Sequence, residues 1–192
     1  YLISQFFSPL TNRREDGYGG SMENRMRFGI EVAEKVRKAV GAPYPILMRL
    51  AGNDFMEGSN TNKEAQLFAS ELEKAGVDCF NVTGGWHETR VPQLTMHVPR
   101  KAYVYLAQGI RSAVSVPVIA SNRINDPSQA EGVLREGQAD LITMARALLA
   151  DPDLPNKALQ GQEELITHCV ACNQGCFDRV FQFEPATCLV NP

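Results

Sequence analysis

Pro117-Val-Ile-Ala-Ser-Asn-Arg-Ile-Asn-Asp-Pro127 decides the fold. The run Pro117–Ser121 is short, apolar and rich in β-branched residues, as a buried strand requires. Asn122-Arg123 sets polar groups at its end. Asp126-Pro127 then reads as a helix start, with Asp126 as cap and proline at the first helical position, where its missing N–H is no loss. The helix should stop near Gly137. This is one βα unit, and the same grammar repeats on either side.

Downstream, Leu141-Ile-Thr-Met144 is a strand closed by Ala145-Arg146, and Asp151-Pro152 starts another helix in the same way. Upstream, Cys79-Phe-Asn-Val-Thr83 is a strand, and Pro99 opens a helix running to about Ala113. Tyr44-Pro-Ile-Leu-Met-Arg-Leu50 precedes a helix whose Ala65, Phe68, Leu72 and Ala75 keep helical spacing. Thr61 and Glu64 form a capping box at its start, and Gly76 can end it in the left-handed region. Ahead of these lies a helix from Met22 to Val40, with Phe28, Val32, Val36, Ala39 and Val40 expected on its inner side. Continuously apolar strands alternating with helices imply a parallel sheet covered on both faces.

Four such units could be half of an eightfold barrel or a doubly wound sheet. Polar residues stand at every strand end: Arg49, Thr83 to His87, Asn122-Arg123 and Ala145-Arg146. In a barrel these ends share one mouth, where active sites are built. A doubly wound sheet would gather them at one crevice, and no GxGxxG follows any strand. The expected fold is therefore α/β: half of a TIM (β/α)8 barrel over residues 1–158, with a separate segment over 159–192.

That last segment carries Cys169-Val-Ala-Cys172-Asn-Gln-Gly-Cys176 and then Cys188. Buried structural cysteines scatter; thiolates two and three residues apart can converge on one metal centre. Two disulfides would suit a small secreted domain, but this chain is long and otherwise poor in cysteine. Zinc sites usually pair two CxxC units, and the second pair is missing. A CxxCxxxC triplet with a distant fourth cysteine suits a cubane iron–sulfur cluster best. Cys79, inside a strand, reads as a small apolar residue.

Among 192 residues, 19 basic and 22 acidic side chains give a net charge of −3, so a nucleic-acid partner is not indicated. No apolar run approaches the roughly 20 residues of a membrane span, and no signal peptide is visible. Free thiols fit a reducing cytoplasm. Beginning at Tyr1 rather than methionine and stopping at Pro192 beside the cysteines, the sequence reads as a piece of a longer protein.

Several residues carry chemistry. A guanidinium at Arg49, ending a buried strand, needs a partner; a ligand anion or a neighbouring carboxylate would serve. His87 follows Gly84-Gly85-Trp86, where glycines let backbone approach a ligand and an imidazole can relay protons. His97 and His168 read as surface residues, His168 with a second reading as a metal ligand beside Cys169. Asn122-Arg123 and Ala145-Arg146 would follow the seventh and eighth barrel strands, positions that commonly bind phosphate with an adjacent helix N-terminus. The alternative pairs those arginines with Asp126 or Asp151.

Tyr1-Leu-Ile-Ser-Gln-Phe-Phe-Ser-Pro9, Asn12-Arg13, Asp16, Tyr18-Gly-Gly-Ser21 and Glu23-Asn-Arg25 together resemble the signature of the Old Yellow Enzyme flavoprotein superfamily. The cysteine array resembles its iron–sulfur branch. Gly85-Trp-His-Glu88, Ser121–Pro127 and Met144-Ala-Arg146 look most like the bacterial 2,4-dienoyl-CoA reductase type. The resemblance implies an FMN-binding barrel, a [4Fe-4S] cluster and a further domain for FAD and NAD(P)H. It implies reduction of an activated C=C bond, in an unsaturated acyl-CoA or a related enone, with electrons from NAD(P)H. Tyr1 would then protonate the substrate carbon and His87 would be the active-site histidine. Arg49 would lie beside the flavin pyrimidine, Asn122, Arg123, Ala145 and Arg146 around the FMN phosphate, and Cys169, Cys172, Cys176 and Cys188 on the cluster. Leu10 departs from the arginine expected in the nearest relatives, which leaves the acyl-CoA contacts open. An amine dehydrogenase or an enone or bile-acid reductase on the same scaffold is the alternative among enzymes. A non-catalytic zinc-binding α/β protein is the alternative outside them. Half a barrel exposes raw sheet edges, so the isolated chain is expected to be inactive and not to hold FMN.

Overall fold

The computed structural model describes residues 1–86, 88–91 and 94–191. Four strands, β1 (Leu47–Ala51), β2 (Cys79–Thr83), β3 (Val118–Ala120) and β4 (Leu141–Ile142), form one sheet in the order β1-β2-β3-β4. Every neighbouring pair is parallel. A doubly wound sheet reverses its strand order at a switch point; this sheet never does. Sequential parallel pairing with a helix after each strand is the arc of a (β/α)8 barrel.

The register sorts the side chains. Leu47 pairs with Cys79, Arg49 with Asn81 and Ala51 with Thr83, while Phe80 pairs with Val118 and Val82 with Ala120. Leu50, Phe80, Val82, Val118 and Ala120 turn to one side and enter the main core with Phe68, Leu72, Leu106 and Ile110. These last come from α3 (Asn62–Lys74) and α4 (Val104–Arg111). The opposite face is open: Leu47 is 60% and Leu141 50% exposed. Coverage on both faces, expected from the apolar runs, is thus corrected to coverage on one. An apolar run does not say whether the second face meets helices or the interior of a barrel.

The helix α2 (Met22–Val40) has the expected limits but a different inner side. Arg25, Met26, Gly29 and Ala33 are buried, whereas Val36 and Val40 are exposed. Gly29 sets this choice, since a Cβ there would stand 2.5 Å from Phe68 Cζ. Phe28 turns instead onto Phe6, with ring centroids 4.2 Å apart. A short helix, α1 (Leu2–Phe7), precedes it and was not expected from the pattern. Asn12 Nδ2 donates to the carbonyls of Phe6 and Tyr18, both at 2.6 Å, and Arg25 Nε donates to Phe7 O at 3.0 Å. Residues of the opening signature therefore brace the C-terminal end of α1, and Tyr1 stands at its N-terminus, exposed.

Other boundaries moved for visible reasons. The capping box holds, with Glu64 Oε2 accepting from Thr61 N–H at 2.7 Å. Asp126 caps α5 (Pro127–Arg135), its carboxylate accepting from Ser128 and Gln129 N–H. The helix expected at Pro99 starts only at Val104, because Lys101 takes a left-handed φ of 62° and donates its N–H to Arg123 O. Asp151 does not start a helix. It ends α6 (Arg146–Ala150), and α7 (Leu154–Leu159) begins after Asp153. The buried Asp151 carboxylate accepts from Lys157 Nζ at 2.7 Å and Thr167 N–H at 2.8 Å, tying the barrel arc to the chain that follows. Among the described residues no helix is long and apolar enough to cross a membrane.

Two outcomes follow. Phe80→Ala removes a fully buried ring from the middle of the sheet and should lower unfolding free energy by about 3–5 kcal/mol in urea titration. The Asp151 carboxyl is held below its ordinary range, first by Lys157 and next by Thr167 N–H. Its stabilisation is therefore complete above the ordinary carboxylate value of about 4 and is lost as pH falls through the depressed native value. Asp151→Asn should reduce stability at pH 7 and flatten its fall on acidification in pH-dependent thermal melts.

Candidate functional site

Arg49 lies within β1 on the open face, exposed, and Nη1 donates to Asn81 Oδ1 at 2.7 Å. This corrects the expectation of a guanidinium at the end of a buried strand. No carboxylate pairs with it among the described residues, so its charge stays available. Tyr1 and Arg49 line one groove with Phe28, Val32 and Phe68, an open cleft of about 470 Å³ beside β1. Along the strand ends, Asn122 Nδ2 donates to Thr83 Oγ1 at 3.0 Å, and Ser121 Oγ donates to Val82 O. His87 lies outside the described residues.

At the end of β3, Asn122 and Arg123 both adopt left-handed backbone, with φ of 68° and 56°. Asparagine tolerates this, but arginine has no local reason to. Such strain persists where the surroundings impose it and marks functional loops. Arg123 is half-buried, and Nε donates to Val98 O at 2.8 Å. Burial lowers its affinity for the proton and the positive charge of Arg146 lowers it further, while Cys169 opposes them and Arg100 adds a smaller lowering. Arg146 Nη1 donates to Leu94 O and to Asn173 Oδ1, both at 2.7 Å.

Neither arginine pairs with Asp126 or Asp151. Asp151 holds Lys157, and Asp126 faces His168. Among the described residues neither guanidinium has a carboxylate partner, and forked N–H donors of this kind suit an anion. Ala145 caps α6, which has only five residues, so the helix terminus adds little and the arginines carry the attraction.

The four clustered cysteines line one cavity, together with Arg146, Leu149 and Asn173. All five cysteines are free thiols in this structure. Cys79 is buried away from the others, and burial pushes its thiol pKa up, as suits an inert core residue. Among the described residues no three His, Cys, Asp or Glu side chains close on one point as a finished metal centre; thiol packing alone does not draw four sulfurs together. The donor set nonetheless suits a thiolate-bound cluster. Gly175 explains how Cys188 joins the triplet. Its carbonyl accepts from Thr187 N–H at 2.6 Å, and a Cβ on it would stand 3.1 Å from Thr187 O. A side chain there would press on Thr187, so glycine suits the close meeting of the two loops. His168 is half-buried, with Nδ1 3.2 Å from Asn125 O, so it is a tether rather than a free surface group.

Residues 1–164 match the NADH:flavin oxidoreductase / NADH oxidase family. The chain belongs to that family. It is 63% identical to a metal reductase of Desulforamulus reducens, aligning over all of this chain and 29% of the relative. A solved 2-naphthoyl-CoA reductase in complex with 2-naphthoyl-CoA is 42% identical and superposes with a TM-score of 0.95. That match covers all of this chain and 29% of the reductase. Histamine dehydrogenase from Rhizobium sp. 4-9 is 33% identical with a TM-score of 0.87, over 99% of this chain and 27% of that one. The chain thus spans under a third of these relatives. The family is one of flavin oxidoreductases, and the sheet is part of the barrel that Old Yellow Enzyme homologues share.

Sequence patterns did not single out Asn173, Asn125, Asn81 or Arg100. The one available signal was Asn173 following the second cysteine. In the full-length protein, Arg123→Ala should raise the FMN dissociation constant about tenfold or more, as loss of a hydrogen bond to a charged group implies. Flavin fluorescence quenching measures this. Riboflavin, which lacks the phosphate, should bind wild type and variant alike.

Proposed function

We propose that this chain supplies the phosphate grip and the metal segment of an NAD(P)H-dependent flavoenzyme that reduces an activated carbon–carbon double bond. The substrate class is an unsaturated acyl-CoA, of the 2,4-dienoyl kind or a related enone. The observation that carries the reading is the Arg123–Arg146 pair, uncompensated by carboxylate and placed next to a cavity lined by four free cysteines. The 42% identity to 2-naphthoyl-CoA reductase supports a thioester substrate.

When bound, FMN supplies hydride transfer, and a [4Fe-4S] cluster supplies one-electron exchange with an FAD domain that accepts NAD(P)H. Arg123 and Arg146 clasp the flavin phosphate by charge and by forked N–H donors. Asn122, braced on Thr83, shapes the loop between them. Arg49, kept aligned by Asn81, offers positive charge to the edge of the flavin ring where negative charge gathers. Tyr1 Oη delivers a proton to the substrate carbon as carbanion character develops, with His87 assisting. Residues 1–158 form the barrel part, and Cys169, Cys172, Cys176 and Cys188 within 159–192 hold the iron.

The 63% identity to a metal reductase favours a second reading, in which the same electrons leave to a metal ion. Turnover of the full-length enzyme with a dienoyl-CoA, a soluble ferric chelate and an amine separates these readings. Tyr1→Phe should lower dienoyl-CoA reduction at least about 100-fold, the usual scale of acid catalysis, and leave flavin reduction by the nucleotide within twofold. Equal loss of both rates removes Tyr1 from the acid role.

A further inference from the structure

After Ile166 the chain leaves the βα repeat and carries no strand pairing to the sheet. Specific side chains hold it in place instead. Asn125, buried in the loop after β3, donates Nδ2–H to Cys169 O at 2.6 Å, and its own carbonyl faces His168 Nδ1 at 3.2 Å. Arg146, just after β4, reaches Asn173 Oδ1 at 2.7 Å. Asn173 Nδ2 in turn donates to Leu94 O at 3.3 Å, and its backbone takes a left-handed φ of 65°. Asn173 O accepts from Asp178 N–H at 3.1 Å, fixing the turn that leads past Cys176 into α8 (Phe177–Phe181).

These anchors converge on the two loops that carry the anion site. Arg146 belongs to both. A guanidinium has five N–H donors, and among the described residues its hydrogen bonds leave from Nη1 alone. Nη1 thus grips the loop between Cys172 and Cys176 through Asn173. Both Arg146 and Asn173 line the cysteine cavity.

We propose that Asn173 is a positioning residue through which Arg146 couples occupancy of the anion site to the arrangement of the four cysteines. The inference rests on the flavin and cluster reading above. A phosphate that draws Arg146 to one orientation aligns Asn173 and, with it, the Cys172–Cys176 loop. Metal that orders that loop returns Arg146 to the phosphate. Linkage makes the effect reciprocal: each ligand tightens the other by the same factor.

The test uses the full-length protein, anaerobically reconstituted with iron and sulfide or stripped by chelator, with the FMN dissociation constant measured in both states. The wild type should bind FMN about tenfold more tightly when loaded. Asn173→Ala should bind FMN equally in both states while its far-UV circular dichroism matches wild type. Asn173→Asp keeps an oxygen toward Arg146 and should keep its metal and the wild-type ratio. A wild-type ratio in Asn173→Ala, or its loss in Asn173→Asp, overturns the proposal. So does a wild type that takes up iron and sulfide yet binds FMN with one affinity, and then the coupling fails alone. A wild type that takes up no iron overturns the reading beneath it as well.

Discussion

Parallel pairing without a skipped strand decides which side chains share the open face. Leu47 lies opposite Cys79, Arg49 opposite Asn81, and Ile119 opposite Leu141. With a side-chain period of two, sliding β1 by one residue would turn Arg49 into the helix-covered core and bring Leu50 out. The core prevents that slip. Phe80, Val82, Val118 and Ala120 are all buried against α3 and α4, and no alternative register would keep them so. The positions of Arg49, Asn81, Thr83 and Asn122 are therefore a by-product of hydrophobic packing on the other side of the sheet.

The strand ends show the opposite economy, with instability held in place. Consecutive left-handed residues at Asn122 and Arg123 raise the energy of the loop. Hydrogen bonds hold the loop in that shape: Lys101 N–H donates to Arg123 O, Arg123 Nε to Val98 O and Asn122 Nδ2 to Thr83 Oγ1. Membership of a flavin oxidoreductase family names a cofactor class whose phosphate is the kind of anion forked N–H donors suit.

The strands, most helices and the barrel arc were legible because they rest on local periodicity. Cys79–Thr83 and Met22–Val40 agree with the expected limits, and the Asp126-Pro127 and Thr61/Glu64 signals mark true helix starts. Asp151-Pro152 carried the same signal and was misleading, since the Asp151 carboxylate serves Lys157 and Thr167 from a distance. The inner side of α2 was misjudged because Gly29, which scores as no hydrophobe, makes the closest approach to Phe68. At the site, residue types and spacing exposed Arg123, Arg146 and the cysteines. Their brackets, Asn125 and Asn173, are single amides whose meaning depends on contacts 44 and 27 residues away. No pattern within one segment reveals such a pairing.

The strand order also bears on how the molecule is made. Each strand finds its neighbour among residues already synthesised, so the sheet can grow in the direction of translation, one βα unit at a time. The four clustered thiols follow all four strands in the chain, so the loops after β3 and β4 precede them. Order of emergence thus guards reactive sulfur: by the time Cys169 leaves the ribosome, the amide of Asn125 that anchors it has already been built.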